Sequence, residues 1–397
     1  MAGRRGGRRV RIALVHDWLT GMRGGERVLE RVCGLFPRAD LYTLVWKRGA
    51  CSPAIERHRI TTSWLQRLPG ATEHYRYLLP LFPPAVESLD LAGYDAIVST
   101  SHAVAKSAPT GPTTFHLSYV FTPMRYIWEL EAQYFPPGRF PWPLSWAVRG
   151  TCSRLRRWDV ATSRRAHAMI GISRHVSERI RRHYGREAGV LYPPVELERF
   201  HPAGGPRDYL LLAGAMAPYK RGELAIEACA RLGLRLVVAG TGPMEAELRR
   251  VAGPRVEFRT GWLSDADMAR LYEGARGLLF PGEEDFGIVP LEAMASGCPV
   301  IAYGVGGAVE TVGRGASPAA LAEVAAGGVA RVPGGVLFGT QTVESIVAAI
   351  AELDRAPFDP AALAELARPF GNERFDAEFR AAFDRHHANW RESTLGR

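Results

Sequence analysis

PGEEDFGIVPLEAMASGCPVIAYGVGG, residues 281–307, carries the most structural information per residue in this chain. An apolar LLF runs into it and reads as a strand that stops at Pro281. A polar turn follows, and a helix starts at Gly287–Val289. Pro290 falls in its first turn, where the missing N–H costs nothing. Gly297 and Pro299 stop the helix, and 298–303 forms another apolar strand. Strand, turn, helix and strand, with apolar residues on both faces of the strands, is the repeating unit of a buried parallel sheet. In such sheets the turn lies at the carboxyl ends of the strands, where ligands bind.

The same alternation extends through the chain. Strands are expected near 10–16, 40–46, 94–100, 114–120, 167–172 and 189–192, then near 208–213, 234–239, 256–259, 277–281 and 298–303. Helices are expected at 25–35, 220–232, 244–252, 265–275 and 288–296. The pattern restarts after Tyr192 across YPPVELERFHPAGGPR, a Pro-, Gly- and charge-rich linker. The expected fold class is α/β, with two Rossmann-like domains facing across a cleft. The expected bounds are a disordered basic tail at 1–9, domains at 10–195 and 196–370, and a C-terminal helix at 371–397 packing back toward the first domain. The Ala/Gly-rich stretch 314–333 reads as a loop or short-helix insertion.

Composition narrows the function classes. The 397 residues are 47% hydrophobic and 23% charged, ordinary globular values. No apolar run is long enough to span a bilayer, and the N-terminus lacks a signal-type apolar segment. The five cysteines (Cys33, Cys51, Cys152, Cys229, Cys298) contain no CxxC pair, which points to reduced thiols in a cytoplasm. Net charge is +9, with Arg4, Arg5, Arg8, Arg9 and Arg11 crowded at the start; no nucleic-acid partner is expected. Lysine is rare: only Lys47, Lys106 and Lys220 occur. A lysine kept in so arginine-rich a chain can mark a place that needs a compact charge.

The candidate site residues follow from strand ends. The amides of Phe286, Gly287 and Ile288 can point at an anion, aided by the helix dipole. Glu284 in the turn and Glu292 one turn into the helix can both accept from a ligand's hydroxyls. In GAMAPYKRGELAIEA (214–228), Lys220 and Arg221 stand where a helix begins, and two cations there suit an anion between them. Gly240 and Gly242 in AGTGP allow close backbone approach. Trp262 and Leu263 end the next strand and could edge a nucleobase. In the first half, Gly24 and Gly25 form a loop-to-helix junction after the first strand, and His102 follows another strand, four residues before Lys106.

These residues resemble a known family. PYKR (218–221), AGTGP (239–243) and the E-x7-E pair Glu284 and Glu292 resemble the retaining GT-B glycosyltransferases of family four, in the glycogen-synthase-like clan. GGERVLE (24–30), SHAVAKS (101–107), FTPMRYIWE (121–129), LRRWDVATSRR (155–165) and REAGVLYPPVELERF (186–200) are similar to its polysaccharide and O-antigen mannosyltransferase branch. The resemblance covers roughly 10–350. It implies a donor ribose held by Glu292, transferred-sugar hydroxyls touched by Glu284, and a diphosphate held by Lys220 with the amides of Phe286, Gly287 and Ile288. It implies that Gly24 and Gly25 approach the diphosphate and sugar, and that His102 contacts the donor sugar near the reacting carbon. Family members often carry an arginine where this chain has Ala215; Arg221 or Arg125 would then share the phosphate's charge.

The function so implied is hexosyl transfer with retention, from a nucleotide-diphosphate sugar (GDP-mannose favoured) to a glycan or lipid-linked acceptor. No metal or other cofactor is expected. Residues 133–160 mix Phe140, Trp142 and Trp146 with Arg149, Arg154, Arg156 and Arg157, a pattern that suits either an anionic membrane surface or a helix burying its aromatics. The expected location is cytoplasmic, with possible attachment to the inner face of the plasma membrane. Two alternatives stand beside transfer: hydrolysis or epimerisation of the nucleotide sugar, and an inactive sugar-nucleotide-binding partner of a glycan assembly complex.

Overall fold

A computed structural model describes residues 4–5, 8–136, 141–261 and 263–395. Within the basic leader, Arg4–Arg5 pairs antiparallel with Arg8–Arg9. The chain divides into two compact units, one made of residues 1–194 and 375–397, the other of 195–374.

The first unit is built on seven strands: β1 (Ile12–His16), β2 (Asp40–Thr43), β3 (Ile60–Thr62), β4 (Ala96–Ser101), β5 (Phe115–Val120), β6 (Ala168–Gly171) and β7 (Gly189–Val190). Their order is β3-β2-β1-β4-β5-β6-β7, all parallel. Every residue of β4 and β5 is buried, as expected of central strands covered on both faces. Helix α1 (Gly24–Leu35) follows β1. Helix α2 (Trp142–Ser163) and α3 (Arg174–Tyr184) flank β6.

The second unit repeats the plan with β8 (Tyr209–Ala213), β9 (Leu236–Ala239), β10 (Val256–Arg259), β11 (Ala275–Phe280), β12 (Val300–Tyr303), β13 (Val329–Val332) and β14 (Gly335–Phe338). The order is β10-β9-β8-β11-β12-β14-β13, parallel except for the closing β13–β14 hairpin. Between the strands lie α4 (Gly222–Leu232), α5 (Glu245–Val251), α6 (Asp265–Glu273) and α7 (Ile288–Ala295), with α8 (Val343–Asp354) after the hairpin. Where the sequence suggests an insertion at 314–333, the structure has a short helix, Pro318–Ala325, and the edge strand β13. The strand is legible afterwards as VARV, masked by the small residues around it.

In both sheets the chain reverses direction of growth beside the first strand. The reversal lies between β1 and β4 in one unit and between β8 and β11 in the other. Loops leaving the carboxyl ends of those strand pairs diverge to opposite faces, and the crevice between them is where doubly wound sheets take ligands.

The final helix α9 (Asn372–Leu395) belongs to the first unit from Phe375 onward. Phe375 and Phe379 lie edge-on to Tyr119, each with ring centres 5.8 Å away. Phe383 packs on Phe36 at 5.1 Å, and Trp390 on Phe115 at 5.8 Å.

Candidate active site

In the second unit, the loops after β8 and β11 meet at the reversal point. The β8 loop ends in a tight turn, Pro218–Lys220. Arg221 then adopts a left-handed backbone (φ 53°), the only non-glycine residue among the described ones to do so. That twist separates the two neighbouring cations. Lys220 turns to form an ion pair with Glu284, both side chains mostly buried. Arg221 turns to Glu223, with Nε 2.6 Å from its carboxylate. Of the two, Lys220 is thus the cation at the crevice. Its Nζ also stands 5.1 Å from the centre of the Phe280 ring, within cation–π range.

Glycines let these loops touch. A Cβ on Gly282 would lie 2.7 Å from the Lys220 Cα, and one on Gly307 would lie 2.2 Å from the Cα of Phe286. The Gly307 amide donates to the Glu284 carbonyl at 2.7 Å. Gly287, at φ 99°, turns the chain into α7. The loop holding Glu284, Phe286 and Gly287 is therefore clamped on both sides by backbone. Gly240 and Gly242 play a related part: added Cβ atoms would strike the carbonyls of Gly214 and Met216 at 2.1 and 2.3 Å. They allow the β8 and β9 loops to lie against each other.

Glu292 is fixed differently. The Tyr272 hydroxyl on α6 donates to its carboxylate at 3.0 Å. Burial, followed by the Glu292 charge itself, holds the Tyr272 phenol well above its usual value, so it remains a donor. One Glu292 oxygen is thereby oriented. Leu263 is half-buried beyond β10; Trp262 lies outside the described residues. A cavity of about 20 Å³ bounded by Gly214, Ala215, Lys220, Phe280 and Gly282 has room for about one water.

In the first unit, Asp17 and His102 follow β1 and β4 at the equivalent reversal. Asp17 is fully buried. Its Oδ2 accepts from the amides of His102 (2.7 Å) and Ala103 (2.9 Å), and its Oδ1 from Val104 and Ala105 (both 2.7 Å). Burial works to raise its pKa, yet the imidazoles of His102 and His16 and these amides hold it below the usual carboxylate value. The His102 ring lies with Nδ1 3.3 Å from Asp17 Oδ2 and stands edge-on to Trp18, centres 4.2 Å apart. Burial keeps His102 below the ordinary imidazole value despite the neighbouring Asp17. Gly25, the second residue of α1, lies beside this cluster, where a Cβ would be 3.5 Å from Phe121 and 3.7 Å from His16; Gly24 precedes it as the first residue of the helix. His16 Nδ1 is 2.7 Å from the Thr100 hydroxyl, and Glu26 stands 3.9 Å from the other ring nitrogen.

Lys106, four residues past His102, is part of the core. It is wholly buried, with Nζ 2.7 Å from Asp159 Oδ1, and it donates to the Ala103 carbonyl. Asp159 also accepts from Trp128 Nε1 at 3.0 Å and Tyr184 at 2.8 Å. Lysine scarcity thus marks two uses of a compact ammonium: one at the crevice and one inside the fold. Asp17, His16, Glu26 and Tyr272 are absent from the sequence-derived site. Asp17 carries a usable signal, a carboxylate immediately after a central strand; Tyr272, 20 residues before its partner, carries none.

Residues 207–354 match the family described as glycosyl transferases group 1. A D-inositol 3-phosphate glycosyltransferase of Streptomyces bingchenggensis is 33% identical over 36% of this chain and 39% of its own length. O-antigen chain mannosyltransferase C of Escherichia coli is 38% identical over 25% of this chain and 28% of its own. The chain thus spans well under half the length of these curated relatives. Among solved structures, sucrose-phosphate synthase from Thermosynechococcus elongatus aligns over 96% of this chain and 100% of that one, with a TM-score of 0.65 at 20% identity. Anabaena HepE, in complex with UDP and glucose, aligns over 94% and 99%, with a TM-score of 0.63 at 17% identity. At those identities the likeness is one of fold, and the fold class is GT-B. The crevice residues Lys220, Glu284 and Glu292 of the second unit lie inside the region that matches the group 1 glycosyl transferases.

Proposed function

We propose that this chain is a glycosyltransferase that moves a hexose, mannose favoured, from a nucleotide-diphosphate sugar to a glycan or lipid-linked acceptor with retention at the anomeric carbon. The observation that carries this is the convergence of Lys220, Glu284 and the start of α7 at the reversal point of a group 1 domain. Anabaena HepE binding UDP and glucose on the same fold supports a nucleotide-sugar donor. The E. coli O-antigen chain relative supports mannose and a polysaccharide acceptor; GDP-mannose is the corresponding donor.

In this proposal Glu292, oriented by Tyr272, accepts from the ribose diol. Lys220 and the amides of Phe286, Gly287 and Ile288 hold the diphosphate, and Arg221 adds a nearby positive charge. The Lys220–Glu284 ion pair means an arriving diphosphate exchanges one anionic partner of Lys220 for another, releasing Glu284 toward the sugar hydroxyls. Gly240, Gly242 and Leu263 shape the nucleotide's surroundings, and Trp262 is proposed at the base. Gly24, Gly25 and His102 contact the diphosphate and transferred sugar. As the anomeric bond breaks, Lys220 and the helix start stabilise the charge growing on the leaving diphosphate, the part a divalent ion plays in other transferases. The acceptor hydroxyl then attacks on the same face.

No helix among the described residues is long and apolar enough to cross a membrane. Trp142 and Trp146, one turn apart on α2, are 82% and 76% exposed, and Arg149, Arg154 and Arg157 are exposed on the same helix. That face supports peripheral contact with an anionic cytoplasmic membrane surface; Phe140 lies outside the described residues.

The test is donor titration followed by product analysis. Wild-type protein is expected to bind one nucleotide-diphosphate sugar, and Glu292→Ala to weaken binding of every donor sharing the ribose, by about tenfold or more for a charged hydrogen-bond acceptor. Equal donor affinity in the two proteins would remove the diol assignment. Release of free sugar with no dependence on any glycan acceptor would replace transfer by hydrolysis.

A further inference from the structure

The Asp17–His102 pair has a geometry that specifies more than proximity. The carboxylate cannot turn, because both oxygens are occupied by consecutive backbone amides from residues 102–105. The imidazole cannot turn freely either, being set edge-on against Trp18 and tilted toward Phe121, 6.0 Å away. Between these constraints Nδ1 faces Asp17 Oδ2 at 3.3 Å. A carboxylate with no proton can only accept, so a hydrogen on the ring nitrogen beside it is favoured over a bare lone pair there. Among the described residues no hydrogen bond reaches Nε2, and the side chain keeps 27% of its surface exposed.

We propose that Asp17 is a positioning residue that fixes His102 as its neutral Nδ1–H tautomer, so that the site presents Nε2 as an acceptor to a ligand hydroxyl and not as a cation to a phosphate. This rests on the proposed function, in which His102 faces the transferred sugar, and it divides the labour: Lys220 supplies charge, while His102 supplies a directional acceptor. A donor hydroxyl gives its hydrogen to Nε2, and a sugar lacking that hydroxyl leaves the acceptor unfilled. The charged and titratable groups around the ring are Asp17 on the β1 end, His16 on β1, and Arg23 and Glu26 at the start of α1. Arg23 and His16 disfavour a second proton on His102, whereas Asp17 and Glu26 favour it; burial outweighs them all.

Histidine-selective 15N labelling of the whole chain tests this directly, with the His102 signals assigned by their loss in His102→Gln. The expected result near pH 7 is a protonated Nδ1 and an unprotonated Nε2. An Nε2–H tautomer, or an imidazolium, overturns the proposal whether or not the protein transfers sugar. A second readout is kinetic. His102→Asn keeps a group opposite Asp17 and loses the outward acceptor, so sugar-donor affinity should fall about tenfold. His102→Gln carries an amide oxygen out to the Nε2 position and should stay within about threefold of wild type. Equal losses in the two variants would also overturn it. Asp17→Asn removes the charge that favours His102 protonation, so the acid limb of the pH–rate profile should move to lower pH; a merely structural aspartate would leave that limb in place. Complete absence of sugar transfer by the wild type would refute the proposed function and leave the tautomer result standing.

Discussion

Replacing Lys106 by methionine should destabilise the first unit severely without touching the donor crevice. The substitution keeps the length and most of the volume of the side chain, and removes only the ammonium. Asp159, itself wholly buried, is left with two neutral donors, Trp128 and Tyr184, in place of its ammonium partner. Breaking a buried ion pair by deleting one partner costs about 3–5 kcal/mol, because the remaining charge is uncompensated. For a unit of about 217 residues, each kcal/mol lowers Tm by roughly 2–4 °C, so a fall of about 6–20 °C is expected in the transition assigned to the first unit by calorimetry. The double variant Lys106→Met with Asp159→Asn should recover a large part of that loss, since an amide can still accept from Trp128 and Tyr184 and leaves no bare charge. The ion pair links α2 and α3 to the turn that His102 begins, so activity should fall as well, while nucleotide affinity stays near wild type. A Tm within about 2 °C of wild type for Lys106→Met, or a double variant no more stable than the single one, would refute the claim that a paired buried charge holds this corner together.

Lys220→Ala should lower kcat by about a hundred- to a thousandfold, the usual loss for one preorganised donor to a developing oxyanion, with a smaller change in donor affinity; Lys220→Arg should rescue it only in part. An almost unchanged kcat would transfer the role to Arg221 or another cation. Gly307→Ala should cost about a hundredfold in rate, since its Cβ would drive the Phe286 backbone away from 2.2 Å and a shift of about 1 Å near a reacting centre has that effect. Gly150→Ala, in open space on α2, is the control and should leave the rate unchanged. His116, fully buried with Nε2 2.8 Å from Ser99 Oγ, is pushed by burial down to about 3. The unfolded chain therefore takes up a proton that the native one refuses, and stability falls as pH drops from about 6.5, by about 1.4 kcal/mol per unit. Urea titrations at pH 7 and pH 5 should show His116→Gln losing about 2 kcal/mol less than wild type over that step.

The long central strands and the helices of the second unit were legible because their periodicity is local. GIVPLEAMASG shows its own start and stop, and α7 begins within a residue of where Gly287 and Pro290 put it. The edge strands were not. β3 is only ITT, three half-buried residues, and β13 is held by pairing with β14, not by any apolar run of its own. The candidate site residues were placed at strand ends by the same positional reading. Tyr272 and Asp159 were not, since each is recruited by a partner distant in sequence. Trp142 and Trp146 illustrate the remaining ambiguity: aromatic residues at helical spacing read equally as core or surface, and here both are exposed.

The membership of α9 has a consequence for how the chain is made. Because Phe375, Phe379, Phe383 and Trp390 complete the first unit's core, that unit lacks its last layer until the final helix leaves the ribosome. In effect the second unit is an insertion of about 180 residues within the first. Left unfolded, so long an insertion would impose the closure entropy of a large loop, growing as about (3/2)RT ln n. Its own ends remove that cost. The Val195 amide donates to the Phe370 carbonyl at 3.0 Å, and Val195 pairs with Gly371. Once the second unit has folded, its entry and exit are pinned side by side, and the closing helix is handed back to the first unit a few residues from where the chain departed. The order of synthesis and the entropy of closure thus favour the same sequence of events, with the second unit complete before the first unit is sealed.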